Sequence, residues 1–267
     1  MERTWIDRGG SIVIKILFSI CGRGGSKGVK NKNIRTFLNA PLIHYSLVDA
    51  YLAFNDKNKD IEKHIIVDSD SDLILETAAS FLPNIYIHKR EARYAGDNVA
   101  KKLAISAALD DFEKNVCLVD CVIDLDITSP LRTVKDIDNI YELYQKGNND
   151  IVFSVVPARR NPYFNMVERL DSHTQLCKKA NFACRQDAPP VYEMNASIYA
   201  YKPECLRNSK SIFENLTDCV EMKDYGVLDI DNEHDFELME LVYAHIAERD
   251  DEYYSVKRQM AQGGSLS

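Results

Sequence analysis

The stretch Ile12-Val13-Ile14-Lys15-Ile16-Leu17-Phe18-Ser19-Ile20-Cys21, running into Gly22-Arg23-Gly24-Gly25-Ser26-Lys27-Gly28, sets the fold class. An apolar run this short, interrupted by Lys15 and closed by glycines, reads as a strand buried on both faces. It falls well below the ~18–20 apolar residues of a membrane span, and no other stretch comes closer. A secretory leader would need a longer apolar region and a small-residue cleavage site.

Working outward, strands and helices alternate. Helical patterns cover Pro41–Phe54, Asp70–Phe81 (capped by Asp70 or Ser71), Asn98–Phe112 and Val134–Lys146. Between them, strand patterns cover His64–Asp68, Ile85–His88, Cys117–Leu125 and Ile151–Val156. Single helices between strands predict right-handed βαβ units and a mainly parallel sheet, that is, one Rossmann-like α/β domain. Ligands of such sheets sit beyond the carboxyl ends of the strands. The alternation breaks over 157–194, where Pro157, Pro162, Pro189 and Pro190 leave no clean period. That segment reads as a hairpin, a lid or an arm packing on a second subunit. Asn195–Tyr201 then reads as a returning strand and Asp231–Arg249 as an amphipathic closing helix. The domain spans 12–251, with 1–11 and 252–267 as terminal extensions.

The composition, 28% charged and 45% hydrophobic, suits a globular protein with a sizeable core. A net charge of −8 argues against nucleic acid as a partner. Anionic ligands must then be held by a local cluster of cations. Such a cluster exists: Arg23, Lys27, Lys30 and Lys32 follow the first strand within the glycine-rich loop and its continuation. Glycines free the backbone N–H groups to turn toward an anion, and a triphosphate matches the cationic density. Two phosphate fingerprints fail here. No Ser or Thr follows Lys27, as Walker A needs, and Lys27 stands where the dinucleotide motif has its third glycine.

Near the other end of the chain, Asp229-Ile230-Asp231 places two carboxylates at i and i+2. On an extended strand they share a face and repel unless a cation sits between them. Mg2+ suits such oxygen ligands, with Mn2+ as the alternative. The structural alternative is that Asp231 caps the following helix. Seven cysteines, an odd number without a metal-knuckle spacing around Cys117 and Cys121, read as free thiols in a reducing compartment, hence the cytoplasm.

Arg23-Gly24-Gly25-Ser26-Lys27-Gly28 with Lys32-Asn33 resembles the signature loop of the CMP-sialic acid synthetases (acylneuraminate cytidylyltransferases). The resemblance runs from Ile14 to Tyr243. It includes Val67-Asp68-Ser69-Asp70, Thr128-Ser129-Pro130-Leu131-Arg132, Arg185-Gln186, Asn195-Ala196-Ser197-Ile198-Tyr199 and Asp229-Ile230-Asp231, in that order. It implies transfer of CMP from CTP to the anomeric hydroxyl of a nine-carbon acidic sugar, with release of pyrophosphate. Arg23, Lys27 and Asp229 would be catalytic. Gly24, Gly25, Ser26, Lys32, Asn33 and Asp70 would bind nucleotide, and Asp229 with Asp231 would hold the metal. Asp126, Ser129, Arg132, Arg185, Gln186, Asn195 and Tyr199 would form the sugar side, a structural ion pair being the other reading of Arg132. The proton acceptor would be Asp229 or a metal-bound hydroxide. The run Val156–Asn165 resembles the family's dimerisation arm and implies a homodimer.

Asp126-Ile127 stands where sialic acid enzymes usually carry Gln-Pro, and Asn195-Ala196 where Asn-Gly is usual. These departures, with the Arg159–Asn165 run, look more like the bacterial CMP-legionaminic acid branch, whose sugar has apolar edges that Tyr163 and Phe164 would pack against. The alternatives are another acidic sugar such as N-acetylneuraminate or pseudaminate, a sugar-1-phosphate nucleotidyltransferase, a nicotinamide oxidoreductase, and a catalytically inactive nucleotide binder.

Overall fold

β1 (Ile14–Cys21) forms because its side chains divide between two apolar layers. Ile16, Phe18 and Ile20 enter one core and Leu17 and Cys21 the other. The computed structural model describes residues 13–55 and 60–261. The expected extension over 1–11 and the tail over 262–267 lie outside the described residues.

A short ribbon of β2 (Thr36–Phe37) and β3 (Ala40–Pro41) leads into α1 (Leu42–Leu52). There follow β4 (Ile61–Ser69), α2 (Asp72–Phe81), β5 (Tyr86–Lys89), α3 (Lys101–Asn115), β6 (Cys121–Leu125), α4 (Val134–Lys146) and β7 (Ile151–Pro157). A second ribbon, β8 (Val167–Arg169) with β9 (Thr174–Leu176), precedes β10 (Tyr192–Tyr201), α5 (Pro203–Asn208), β11 (Thr217–Glu221), α6 (Glu233–Ala247) and α7 (Asp251–Ala261). The main sheet has the order β11-β7-β10-β6-β1-β4-β5. Every pairing in it is parallel except those of β10, which runs antiparallel to β6 and β7. The fold is thus the expected mainly parallel α/β sheet. One core joins it to α1, α2, α4, α6 and α7, the other to α3 and α5. Strand order reverses at β1, with β4 on one side and β6 on the other, so a crevice opens beyond the carboxyl ends of β1 and β6.

α4 coincides with its predicted span because a local signal fixes its start. Thr133 and Asp136 form a reciprocal capping box. Four expectations need correction. Asp229-Ile230-Asp231 is not a strand; it is extended loop after a 3-10 turn at Asp224–Val227. Asp231 does not cap α6, because Asn232 does, accepting from His234 and Asp235. The segment from 252 is no loose extension as far as 261, since α7 buries Tyr253 and Val256 in the core. The irregular segment is shorter than 157–194, as β7 takes Pro157 and β10 starts at Tyr192. It carries exposed Phe164, Met166, Val167 and Phe182.

Candidate active site

The crevice holds a cavity of about 470 Å³, within the ~300–1,000 Å³ typical of small-ligand sites. Its wall is drawn from the loop after β1, the turn after β6, the start of α3, the β5–α3 connection and the loop before α6. Of the residues singled out from sequence, Arg23, Ser26, Lys27, Lys32, Asn33, Asp126 and Asp231 line it. Lys27 and Asp231, 204 positions apart, therefore face one space.

Three of the four loop glycines lie where a Cβ would come within 3.0 Å of a neighbour, and only at Gly28 is that neighbour backbone. A Cβ on Gly28 would lie 1.8 Å from the Asp231 carbonyl oxygen. One on Gly22 would lie 2.8 Å from Ile127 Cδ1, and one on Gly24 2.9 Å from Ser71 Cβ, whereas Gly25 faces open space. The loop is tied down further by Asp70, whose Oδ1 accepts from the Gly24 N–H at 2.8 Å, and by buried Asn33, whose Nδ2 donates to the Arg23 carbonyl at 3.0 Å. Asp70, Gly24 and Gly25 are not among the lining residues, so in this chain Asp70 acts on the loop backbone.

Arg23 and Lys27 both pair with one carboxylate, Asp97, which lines the cavity and which no sequence motif marked. The Lys27 hydrogen bond, with the charges of Lys27 and Arg23, holds Asp97 below the usual carboxylate range. Lys32 donates to the Ile230 carbonyl, which docks the acidic loop against the cationic one. Arg90, also in the wall, is committed to buried Asp68, with Nε 2.7 Å from Oδ2.

One further cation of the cavity wall was also missed from sequence. Lys101, at the start of α3, places Nζ 2.8 Å from Asp124 Oδ2 and 2.8 Å from Asp126 Oδ2. Burial opposes the Lys101 charge, but the two aspartates outweigh it and raise its pKa. Burial likewise opposes the Asp126 charge, yet Lys101 and the Thr128 N–H and hydroxyl hold this carboxyl well below its ordinary range. The helical period around Lys101 marks only core positions, so nothing local revealed its partners. Asp229 is half-buried beside Thr128 and outside the lining set; burial first, then the Asp126 charge, pushes its carboxyl up.

The expected sugar side is corrected at several positions. Arg132 is 1% exposed and wholly engaged: Nε with Asp49 at 2.9 Å, and the terminal nitrogens with Ser46, the Ser197 carbonyl and the Asp126 carbonyl. It is the structural ion pair, and it fixes the backbone that carries Asp126. Asn195 is also buried, bonding Ser154, Met222 and the Gly226 carbonyl, so it braces the bulge in β10 and does not reach the cavity. Ser129 is fully buried. Tyr199 stacks between Phe153 and Tyr201 outside the lining set. Arg185 and Gln186 share one 3-10 turn on the exposed segment, Arg185 donating to the Ala158 carbonyl.

The cytidylyltransferase family model matches residues 18–250. The chain belongs to the cytidylyltransferase family. It is 40% identical over 229 residues to the post-translational flagellin modification protein B of Campylobacter coli, covering 85% of this chain and 94% of that one. It is 40% identical over 230 residues to the CMP-N,N'-diacetyllegionaminic acid synthase of Campylobacter jejuni, again with 85% and 94% coverage. An N-acylneuraminate cytidylyltransferase of Streptococcus agalactiae is 27% identical over 224 residues, which cover 84% of this chain and 52% of that one. Among solved structures, a CMP:2-keto-3-deoxy-manno-octonic acid synthetase complexed with CTP superposes with a TM-score of 0.62 at 12% identity, covering 86% and 99% of the two chains; that likeness concerns the fold. This cytidylyltransferase is therefore a nucleotidyltransferase enzyme. Among the described residues, no helix is long and apolar enough to cross a membrane.

Proposed function

We propose that the enzyme transfers CMP from CTP to the anomeric hydroxyl of N,N'-diacetyllegionaminic acid, releasing pyrophosphate with Mg2+. The observation that carries this reading is the convergence of Arg23, Lys27 and Lys32 with Asp231 on one cavity at the strand-order reversal. The 40% identity to a protein named for that synthesis supports the choice of sugar.

Displacement of pyrophosphate from a triphosphate depends on alignment and on neutralising charge at the phosphoryl oxygens. Arg23 and Lys27 are assigned to the triphosphate, which competes with Asp97 for both cations. Lys32 adds charge while it holds the acidic loop. Asp229 and Asp231 offer the hard oxygen donors that Mg2+ prefers, and two carboxylates plus substrate phosphates make a common Mg2+ set. They would hold the ion, which when bound supplies positive charge at the α-phosphate. Asp229, the half-buried member of the pair, is assigned as acceptor of the hydroxyl proton. The sugar meets a floor of Asp126 and Lys101 in place of a neutral amide. An ionised Asp only accepts, while Lys101 brings donors.

Arg185, Gln186 and the apolar face of Phe164, Met166, Val167 and Phe182 lie on the exposed segment. We assign that segment to a homodimer in which the arm reaches the sugar half of the partner's cavity. All seven cysteines are free thiols, in keeping with a reducing cytoplasm.

The test is pyrophosphate release from CTP and Mg2+ with a panel of nonulosonic acids. Release with N,N'-diacetyllegionaminic acid at the highest kcat/KM is the expected result. A clear preference for N-acetylneuraminate would overturn the sugar assignment, and no CTP-dependent release with any acid would overturn the reaction.

A further inference from the structure

A second cluster of ligating atoms lies at the opposite end of the sheet. Glu62 and His64 stand two residues apart on β4, so their side chains leave the same face. His64 pairs in register with Leu17, which pairs with Val122 near the amino end of β6. Cys117 lies in the loop that enters β6, 53 residues from His64. His64 is five residues before Ser69, the last residue of β4, about 16 Å from that strand end.

His64 Nε2 is 2.9 Å from Glu62 Oε1 and 3.5 Å from Cys117 Sγ, and the three ligand atoms lie within 4.8 Å of one another. A ring nitrogen carries at most one proton and can donate to only one of these partners. Convergence of a carboxylate oxygen and a thiol on a single nitrogen fits three ligands around a shared centre. With metal–nitrogen and metal–oxygen bonds of ~2.0–2.1 Å and a metal–sulfur bond of ~2.3 Å, tetrahedral edges come to ~3.3 Å and ~3.6 Å. The two spacings to His64 Nε2, 2.9 Å and 3.5 Å, lie close to those edges, and the third pair is within 4.8 Å. The His64 ring is steadied by Phe112, with centroids 5.2 Å apart. Lys15 Nζ, 3.6 Å from Glu62 Oε2, balances the carboxylate when no ion is bound and can swing to solvent when one is.

We propose that Glu62, His64 and Cys117 form a binding site for a zinc-type divalent cation, with a fourth position open to water. The donor set of thiolate, imidazole and carboxylate selects a borderline-soft ion over Mg2+, which takes oxygen ligands. The site is separate from the catalytic metal, and it draws its ligands from residues too far apart in sequence to show a metal-knuckle spacing. By joining β4 to the loop before β6, a bound ion ties together two segments distant in sequence and stabilises the folded chain.

The experiment is titration of the metal-free, full-length protein with Co2+, which gives a near-ultraviolet charge-transfer band only when a thiolate binds it. A saturable band at one equivalent, displaced by Zn2+, is expected. Cys117→Ser and His64→Ala should each remove it, although the other six cysteines remain. Zn2+ should raise the melting temperature of the parent protein but not of either variant. Absence of the band in the parent protein, or its persistence in both variants, would overturn the proposal. Catalytic Mg2+ held by Asp229 and Asp231 cannot produce the band, so the two sites are told apart by the same measurement.

Discussion

Gly28→Ala is the sharpest probe of how the two loops meet. The new Cβ would lie 1.8 Å from the Asp231 carbonyl oxygen and 3.0 Å from its carbonyl carbon. Contacts under 3.0 Å are essentially never found, so the gap must open by about 1.2 Å. The obstacle is backbone on both sides, and no side chain can rotate to absorb it. Either the cationic loop or the Asp229–Asp231 loop must move. A ~1 Å misplacement of catalytic groups costs on the order of 100-fold in rate, so kcat/KM for pyrophosphate release should fall by about that factor. Val29 and Ile230, the neighbours of the two clashing residues, are buried in the main core, so a fall of several degrees in melting temperature should accompany the loss of rate. Gly25→Ala is the internal control. Its Cβ meets nothing within 4 Å, and activity should remain within a few-fold of the parent. The reasoning is refuted if Gly28→Ala keeps parental turnover, or if Gly25→Ala is as damaging.

Four further outcomes are expected. Lys101→Met leaves Asp124 and Asp126 without their shared cation; because the Lys101 side chain is itself 36% exposed, the loss in denaturant unfolding should be about 1.5–3 kcal/mol, with Asp124→Asn restoring part of it in the double variant. Arg132→Ala strands buried Asp49 and should lose ~3–5 kcal/mol; a variant that keeps its stability and loses only sugar affinity would contradict the structural role. Ala196 has φ 54°, which costs a residue with a Cβ about 1–2 kcal/mol, so Ala196→Gly should raise stability by ~0.5–1 kcal/mol after the entropy cost of glycine; a lower melting temperature would count against it. The hydrogen bond to Asp68 raises the His88 pKa above its ordinary 6.5. Its stabilisation is then complete below about pH 6.5 and lost as pH rises through the raised value. His88→Gln should flatten that part of the melting-temperature profile, and an unchanged slope would remove His88 as the cause.

Local rules carried much of the fold. Alternating strand and helix patterns identified the parallel sheet, and the helical pattern over Val134–Lys146 placed α4 correctly, where a Thr133–Asp136 capping box fixes its start. They failed where no local signal exists. α7 was read as a tail because its length and polarity give no hint that Tyr253 and Val256 find room beside α1 and α6. The Asp229–Asp231 pair was read as strand from its spacing, yet it is a loop held by Lys32 and Gly28 from the other end of the chain.

The sequence alone determined which chemistry is available: a glycine-spaced group of cations after the first strand, a pair of acids near the end, and a net negative surface that confines anion binding to one place. Only the tertiary structure decided which of those residues face a ligand. Arg132 and Asn195 carry the side chains expected of a sugar site, but burial spends their hydrogen-bonding capacity on the scaffold. Asp97 and Lys101 have no motif, yet they reach the cavity because the strand order brings the start of α3 alongside the ends of β1 and β6. Side-chain type is local, whereas exposure and partnership are set by long-range packing.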